Sequence, residues 1–129
     1  MTRLLDTDVL VDCLRGLAVA EEWLHKNASE PFLVPGIVVM ELIYGCPNKR
    51  ELQRTQKFLS RLAVVWPTPQ EFEHACLLLS QHHLSSNLSI PDCLIAAQAL
   101  SRSARLHTFN RKDFGIIAGL DFEEPYARP

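Results

Sequence analysis

The sequence predicts a three-layer α/β domain in which helices flank a central, mostly parallel sheet of four to five strands. Short apolar segments alternate with longer helical patterns along the 129 residues, which is the order that results when each strand is followed by a helix. Turn signals such as Gly16 and Pro35-Gly36 separate the segments. The length suits one hydrophobic core and leaves no room for a second, so we expect a single domain over residues 1–129.

The first half of the chain predicts two strand–helix units with an extra helix between them. Arg3–Leu5 is a short strand, and Asp6 caps a helix that stops near Gly16. The next elements are a helix marked by Val19, Trp23 and Leu24, a strand at Phe32–Val34 and a helix at Ile37–Tyr44. Strands joined through a helix in this way pair in parallel.

The second half predicts two more strands and three more helices. In order they are an amphipathic helix within Asn48–Leu62, a strand at Ala63–Trp66, a helix from Pro69 to Leu79, a helix opened by Ser89-Ile90-Pro91, a strand at Leu106–Phe109, and a loop with Asp113-Phe114 and Gly119 before a weak segment at Asp121–Glu123. The helix that follows Ser89 is apolar almost all round, so we expect it to be central and buried.

Composition and charge exclude several classes of protein. With a net charge of −2 and a pI near 6.2, contact with a polyanion requires a local basic patch or a bound cation. The cysteines have neither zinc-site spacing nor the pattern of a disulfide framework, which indicates buried thiols in a reducing compartment; they are Cys13, Cys46, Cys76 and Cys93. No apolar stretch reaches 18 residues and no signal-peptide pattern opens the chain, so we expect a cytoplasmic protein without membrane contact.

Acidic residues at strand ends and helix starts form the candidate catalytic site. Asp6 and Asn110 follow predicted strands, and open parallel sheets bind ligands at these ends. Asp92 opens the buried helix, and Glu41 stands in an otherwise apolar helix, where a charge is seldom buried without a partner. Carboxylates that share a pocket repel one another unless a cation joins them, and hard oxygen ligands suit Mg²⁺ or Mn²⁺. The cluster therefore predicts a metal.

Each acid also has a purely structural interpretation. Asp is preferred at helix N-termini, which accounts for Asp6 and Asp92 equally well when each is taken singly. Asp8 and Asp12 are assigned to capping and surface positions. Glu41 is harder to explain structurally, although a solvent-facing stripe would accommodate it.

Four segments together resemble the successive motifs of PIN-domain proteins, in the same order and at similar spacing. They are Leu4–Asp12, Met40–Leu42, Ile90–Ala97 and Leu106–Phe114. The compact size and the segment Asp92-Cys93-Leu94-Ile95-Ala96-Ala97 are most similar to VapC-type toxins of toxin–antitoxin pairs. The resemblance extends over nearly the whole chain.

The resemblance implies a Mg²⁺-dependent endoribonuclease that cuts single-stranded or structured RNA and is inhibited by a cognate antitoxin. Asp6, Glu41 and Asp92 match the acidic triad that holds the metal. The fourth family position, often Asp, is Asn110 here, with Asp113 as the alternative acid. Thr108 matches a family Thr whose hydroxyl orients a water or a metal ligand. Homodimerisation is a further family expectation.

Basic residues between Pro47 and Leu62 are the candidate RNA-binding surface. Their spacing places Arg50, Arg54, Lys57 and Arg61 on one helix face, where they would give salt-sensitive binding to a phosphate backbone. A solvated helix face is the alternative. Arg111 and Lys112 adjoin Asn110 and are expected beside the pocket. Apolar residues expected at a dimer or antitoxin surface are Trp23, Leu24 and Phe32.

Functions outside this family are weaker alternatives. Asp6–Leu10 also resembles the nucleophile motif of haloacid-dehalogenase-like phosphatases, but the rest of that pattern is missing. A response-regulator receiver domain needs a central Asp, and none occurs between Asp12 and Asp92. A catalytically weak PIN domain that binds RNA or an antitoxin stays open, because Asn110 replaces an acid. Metal-dependent cleavage separates this binding module from a ribonuclease.

Overall fold

Five parallel strands form one sheet in the protein. The computed structural model describes residues 1–129. The strands are β1 (Arg3–Leu5), β2 (Phe32–Pro35), β3 (Ala63–Val65), β4 (Arg105–His107) and β5 (Phe122–Glu123). Their order is β3-β2-β1-β4-β5, and every neighbouring pair is parallel. The predicted α/β class is confirmed, and the weak C-terminal segment supplies the fifth strand.

Seven helices flank the sheet. They are α1 (Thr7–Leu14), α2 (Ala18–Lys26), α3 (Gly36–Tyr44), α4 (Lys49–Leu59), α5 (Pro69–His82), α6 (Ile90–Ser101) and α7 (Arg111–Phe114). The loop predicted around Asp113 is wrong in part, because the Asn110 side chain accepts from the Asp113 N–H at 3.4 Å and caps the short α7. Arg61 lies beyond the end of α4 rather than on its charged face. None of the helices has the length and apolar character needed to span a membrane.

The strand order creates a crevice between β1 and β4. From β1 the chain proceeds outward to β2 and β3, and then returns to place β4 on the other side of β1. Leu5 at the end of β1 lies in register with His107 at the end of β4. In open α/β sheets, ligands bind outside the carboxyl ends of the strands where the order reverses in this way. The residues that follow Leu5 and His107 are therefore the candidates for contact with a ligand.

The core is formed by the sheet and α6. Seven successive residues of α6, Cys93–Ala99, are buried, as the all-round apolar pattern predicts. The one polar residue among them, Gln98, donates from its Nε2 to the Val65 carbonyl at 3.0 Å, which limits the cost of burying an amide. This bond joins α6 to the carboxyl end of β3.

Of the apolar residues expected at a partner surface, Phe32 belongs to the interior and the other two pack partly against it. Phe32 is only 5% exposed, and the rings of Trp23 and Phe32 lie 5.0 Å apart. Leu24 is half-buried against the core. Phe32 is on a central strand and α2 packs over it, so the prediction is wrong for Phe32. Trp23 and Leu24 are partly exposed, and for them it stays a prediction.

His107 completes the same aromatic cluster as a buried, neutral imidazole. Its ring centroid is 4.9 Å from that of Trp23 and 6.2 Å from that of Phe32, and neither ring nitrogen has a hydrogen-bond partner. Glu123 lies 3.7 Å from Nδ1. With the imidazole uncharged at neutral pH, this approach is not an ion pair.

His107 is expected to destabilise the protein in mild acid. Burial, with smaller contributions from Arg3 and Arg105, lowers the pKa of His107 from 6.5 to about 4. The unfolded chain therefore takes up a proton below pH 6.5 that the folded chain does not bind until about pH 4, and the contribution of His107 to stability falls across that interval. The loss is about 2 kcal/mol at pH 5.

Denaturant titrations at pH 7.5 and pH 5 test this. Compared with the wild type, His107→Phe should raise the unfolding free energy at pH 5 relative to that at pH 7.5 by that amount, whereas the exposed His83→Phe should leave this pH difference unchanged. An equal pH difference in wild type and His107→Phe would contradict the assignment.

Candidate active site

Asp6 lies at the mouth of the crevice, directly after β1. Its backbone N–H donates to the His107 carbonyl at 3.0 Å. One carboxylate oxygen accepts from the Thr7 N–H and the other from the Thr108 hydroxyl, both at 2.7 Å. Asp6 is thus the N-cap of α1 and also a buried acid, 7% exposed. The structural interpretation of Asp6 as a cap is confirmed, and its role as a catalytic acid stays a prediction.

Glu41 and Asp92 reach the same cleft from different helices. Glu41 lies on α3 and accepts from the Thr7 hydroxyl at 2.8 Å. Asp92 lies in the first turn of α6, where it and Ser89 form reciprocal side chain to backbone bonds of 3.2 Å. Together with Asp6 they line a cleft of about 640 Å³. The structure therefore brings together three acids that are up to 86 positions apart in sequence.

Asp8 and Asp12 belong to this cleft as well, so their assignment to capping and surface positions is wrong. Asp8 accepts from the Phe109 N–H at 2.9 Å, and its other oxygen is buried without a partner. Asp12 accepts from the Tyr126 hydroxyl at 2.7 Å and from Arg128 Nε at 2.9 Å. Asp8 and Asp12 are four residues apart, so they lie on the same face of α1. This spacing, directly after Asp6, was the sequence signal that could have placed them in the cleft.

The cleft carries negative charge that the protein does not fully neutralise. Burial, followed by the charges of Asp8 and Asp92, raises the pKa of Asp6 to about 7, against the opposing effect of its hydrogen bonds. Burial also raises the pKa of Asp8 and that of Asp92, and Asp113 adds to the shift at Asp92. A shift in this direction means that the ionised carboxylates are less stable here than in water. A cation in the cleft would reverse that balance.

Asn110, rather than Asp113, faces the cleft. Asn110 is one of the residues that line it, whereas Asp113 lies behind, with its Oδ2 accepting from Asn110 Nδ2 at 3.1 Å. Thr108 is completely buried between β4 and Asp6. Its hydroxyl gives its single proton to Asp6 and accepts from the Asn110 N–H at 3.0 Å. Thr108 therefore fixes the orientation of Asp6 and the start of the loop that carries Asn110.

A parallel sheet with a cluster of carboxylates at its switch point agrees with the family suggested by the four motifs. The PIN domain family model matches residues 3–120. The chain belongs to the PIN-domain family. Ribonuclease VapC10 of Mycobacterium tuberculosis is 28% identical over 127 residues, which cover 98% of this chain and 94% of that protein.

Two solved structures have the same fold. A toxin–antitoxin complex from Klebsiella pneumoniae is 28% identical, with a TM-score of 0.78 and coverage of 97% of this chain and 98% of that one. The DNA-bound VapBC of Salmonella typhimurium is 25% identical, with a TM-score of 0.83 and coverage of 98% and 99%. The predicted resemblance to VapC-type PIN toxins is confirmed.

The acids of this PIN domain fit a hard divalent cation by their chemistry, although they do not form a closed ligand cage. No three His, Cys, Asp or Glu side chains converge closely enough to hold an ion by themselves. Mg²⁺ commonly takes only one or two carboxylates directly and keeps several waters, so convergence of three is not required. The unpartnered buried oxygen of Asp8 and the raised pKa of Asp6 are the features that a cation would relieve.

The predicted RNA-binding residues are only partly near the acids. Arg54 lines a groove of about 290 Å³ that shares Thr7 and Glu41 with the acidic cleft. Arg50 and Lys57 line neither. Arg111 and Lys112 are exposed outside the cleft, and Arg111 pairs with Glu124 at 3.8 Å. The cations that do line the acidic cleft are Arg15 and Arg128, and sequence reasoning missed both.

Proposed function

We propose that this PIN domain is a Mg²⁺-dependent endoribonuclease and the toxin of a toxin–antitoxin pair. The observation that carries the proposal is the buried Asp6 carboxylate at the sheet's switch point, with Glu41 and Asp92 on the walls of the same cleft. A relative named as a ribonuclease and solved toxin–antitoxin complexes support RNA as the substrate and an antitoxin as the partner. Homodimerisation and a cytoplasmic location stay predictions.

Asp6 and Asp92 are the side chains proposed to hold the ion, with Glu41 contributing directly or through a water. Bound there, Mg²⁺ supplies charge neutralisation at the phosphate and activation of a water for attack on phosphorus. Thr108 holds the Asp6 carboxylate, and the Thr7 hydroxyl holds Glu41. These bonds keep the acids in place despite their mutual repulsion. Asn110 offers a neutral amide where an acid is common in the family, which reduces the charge available to a second ion.

Cleavage of a mixed pool of single-stranded RNA tests the proposal. We expect cleavage by the wild-type protein with Mg²⁺, and a loss of at least about a hundredfold with EDTA or in Asp92→Asn, because an ion contributes several kcal/mol to the transition state. Glu22→Gln is the matched control, since it makes the same kind of change at an exposed position of α2.

The outcomes separate the proposal from its alternative. Cleavage that persists in EDTA and in Asp92→Asn would mean that the acidic cleft is not the active site. RNA binding without cleavage in Mg²⁺ or Mn²⁺ would favour the binding module that Asn110 suggests.

A further inference from the structure

The C-terminal segment folds back over α1 and is anchored beside the acidic cleft. The Tyr126 hydroxyl donates to Asp12 Oδ2 at 2.7 Å. The Tyr126 ring packs at 5.0 Å from Phe109 and 6.0 Å from Trp23. Aromatic contacts and a charge-assisted hydrogen bond together hold this segment in one place. The residues that follow Tyr126 are therefore delivered to the cleft.

Arg128 is positioned at the lip of that cleft by two contacts. Its Nε donates to Asp12 Oδ2 at 2.9 Å, and its guanidinium lies 3.9 Å above the centre of the Phe109 ring. These contacts use one N–H and one flat face of a group that has five N–H donors. The side chain is 43% exposed and lines the cleft. The terminal nitrogens of Arg128 are thus free to donate to a molecule in the cleft.

The lining of the cleft is predominantly acidic, so an anionic ligand needs a positively charged donor there. Five acids line it, namely Asp6, Asp8, Asp12, Glu41 and Asp92, against two cations, Arg15 and Arg128. A phosphodiester that enters is repelled by most of this surface. Arg15 is an exposed residue at the end of α1, whereas Arg128 is already held on an acid and a ring. A planar guanidinium that is fixed in advance loses less side-chain entropy when it binds a phosphate.

We propose that Arg128 donates to a backbone phosphate of the RNA at the lip of the acidic cleft, with Asp12 and Phe109 as its positioning residues. This inference rests on the proposed function, because it takes RNA as the ligand. It assigns the phosphate contact to the C-terminal segment rather than to the basic stripe of α4, which lies largely outside the cleft.

Equilibrium binding tests the proposal separately from cleavage. The probe is a fluorescently labelled single-stranded RNA of mixed sequence, titrated in Mg²⁺ with the Asp92→Asn protein so that it is not cut. Adding Arg128→Gln should weaken binding about tenfold. It should also reduce the slope of log affinity against log salt by about 0.7, the value for one phosphate contact in a single strand. The RNA affinity of Arg128→Lys should lie between that of the protein with Arg128 and that of Arg128→Gln. Lys26→Gln is the control, because it also removes one positive charge. Lys26 lies away from the cleft, since α2 ends near the amino end of β1 and the cleft is at the carboxyl end.

The contrary results are distinct. If Arg128 only secures the C-terminal segment, Arg128→Gln lowers the melting temperature and leaves RNA affinity and salt slope unchanged, which would overturn the proposal. Tighter RNA binding by Arg128→Gln would also overturn the proposal, because it would show that Arg128 competes with the RNA for the acidic cleft. Binding that depends on Arg128 in a protein that never cleaves RNA would refute the proposed function and uphold this contact. Cleavage of RNA by a protein whose RNA affinity does not depend on Arg128 would uphold the proposed function and refute this contact.

Discussion

Asp6→Asn is expected to lower the RNA-cleaving activity at least about a hundredfold. In EDTA the same substitution is expected to stabilise the fold. The pKa of Asp6 is raised from 3.8 to about 7 by burial and by the neighbouring acids Asp8 and Asp92. An acid with a raised pKa makes the folded state less stable as pH rises from 3.8 to 7, because the unfolded chain ionises first. At pH 8, above both pKa values, the neutral amide should therefore increase the free energy of unfolding by about 4 kcal/mol.

The surrounding hydrogen bonds allow this substitution. The amide oxygen still accepts from the Thr7 N–H, and the amide nitrogen can donate to Thr108. The Thr108 hydroxyl then turns its proton to Asp8 Oδ2, which lies 3.5 Å away. The buried position keeps its polar partners while it loses a repelled charge, so the gain is not cancelled by an unsatisfied group.

Thermal melts with EDTA and with Mg²⁺ check both parts of this prediction. The wild-type protein should gain stability when Mg²⁺ is added, since a ligand that binds only the folded state stabilises it, and Asp6→Asn should gain much less. Glu22→Gln should follow the wild type in both conditions. A lower melting temperature for Asp6→Asn in EDTA, or an undiminished response to Mg²⁺, would show that Asp6 is a structural cap and not a metal ligand.

The regular elements of this protein could be predicted from local sequence because each one carries its own signal. The apolar run after Pro91 specified a buried helix, and Pro35-Gly36 marked the change from β2 to α3. The four-residue helix α7 carries no periodicity, since a single turn shows no face, and it is fixed by the Asn110 cap. Phe32 was misplaced because apolar character alone does not distinguish a core position from an interface.

The site was predictable where an acid had no structural reason to be present, and it was missed where one was available. Glu41 stood out in an apolar helix. Asp8 was discounted because Asp is common in the first turn of a helix, and Asp12 because a charged residue on a helix is usually exposed, although both line the cleft. Their partners are 101 and 116 residues away, at Phe109 and Arg128. No local pattern contains such a contact, so the cationic lip of the cleft could be found only in three dimensions.

Glu71→Ala is expected to cost about 3–5 kcal/mol of stability. Glu71 is 3% exposed. Its two oxygens accept from Arg102 at 3.1 and 3.2 Å, and one of them also accepts from the Thr68 N–H at 2.8 Å. The Ser101 hydroxyl donates to it as well. These bonds join the start of α5 to the end of α6 and lower the pKa of Glu71, despite the opposing effect of burial.

Removal of the carboxylate leaves Arg102 as a partly buried cation with no counter-charge, which is why the loss exceeds that of an ordinary surface ion pair. Glu73→Ala, an exposed acid two positions along α5, is the control and should change stability by less than about 0.5 kcal/mol. Denaturant unfolding of Glu71→Ala, Arg102→Met and the double variant measures the coupling directly. If the cost arises from the stranded charge, the double variant is more stable than Glu71→Ala alone. If it is no more stable, the loss comes instead from the Thr68 cap and the Ser101 bond, and the joint between α5 and α6 depends on hydrogen bonding rather than on the ion pair.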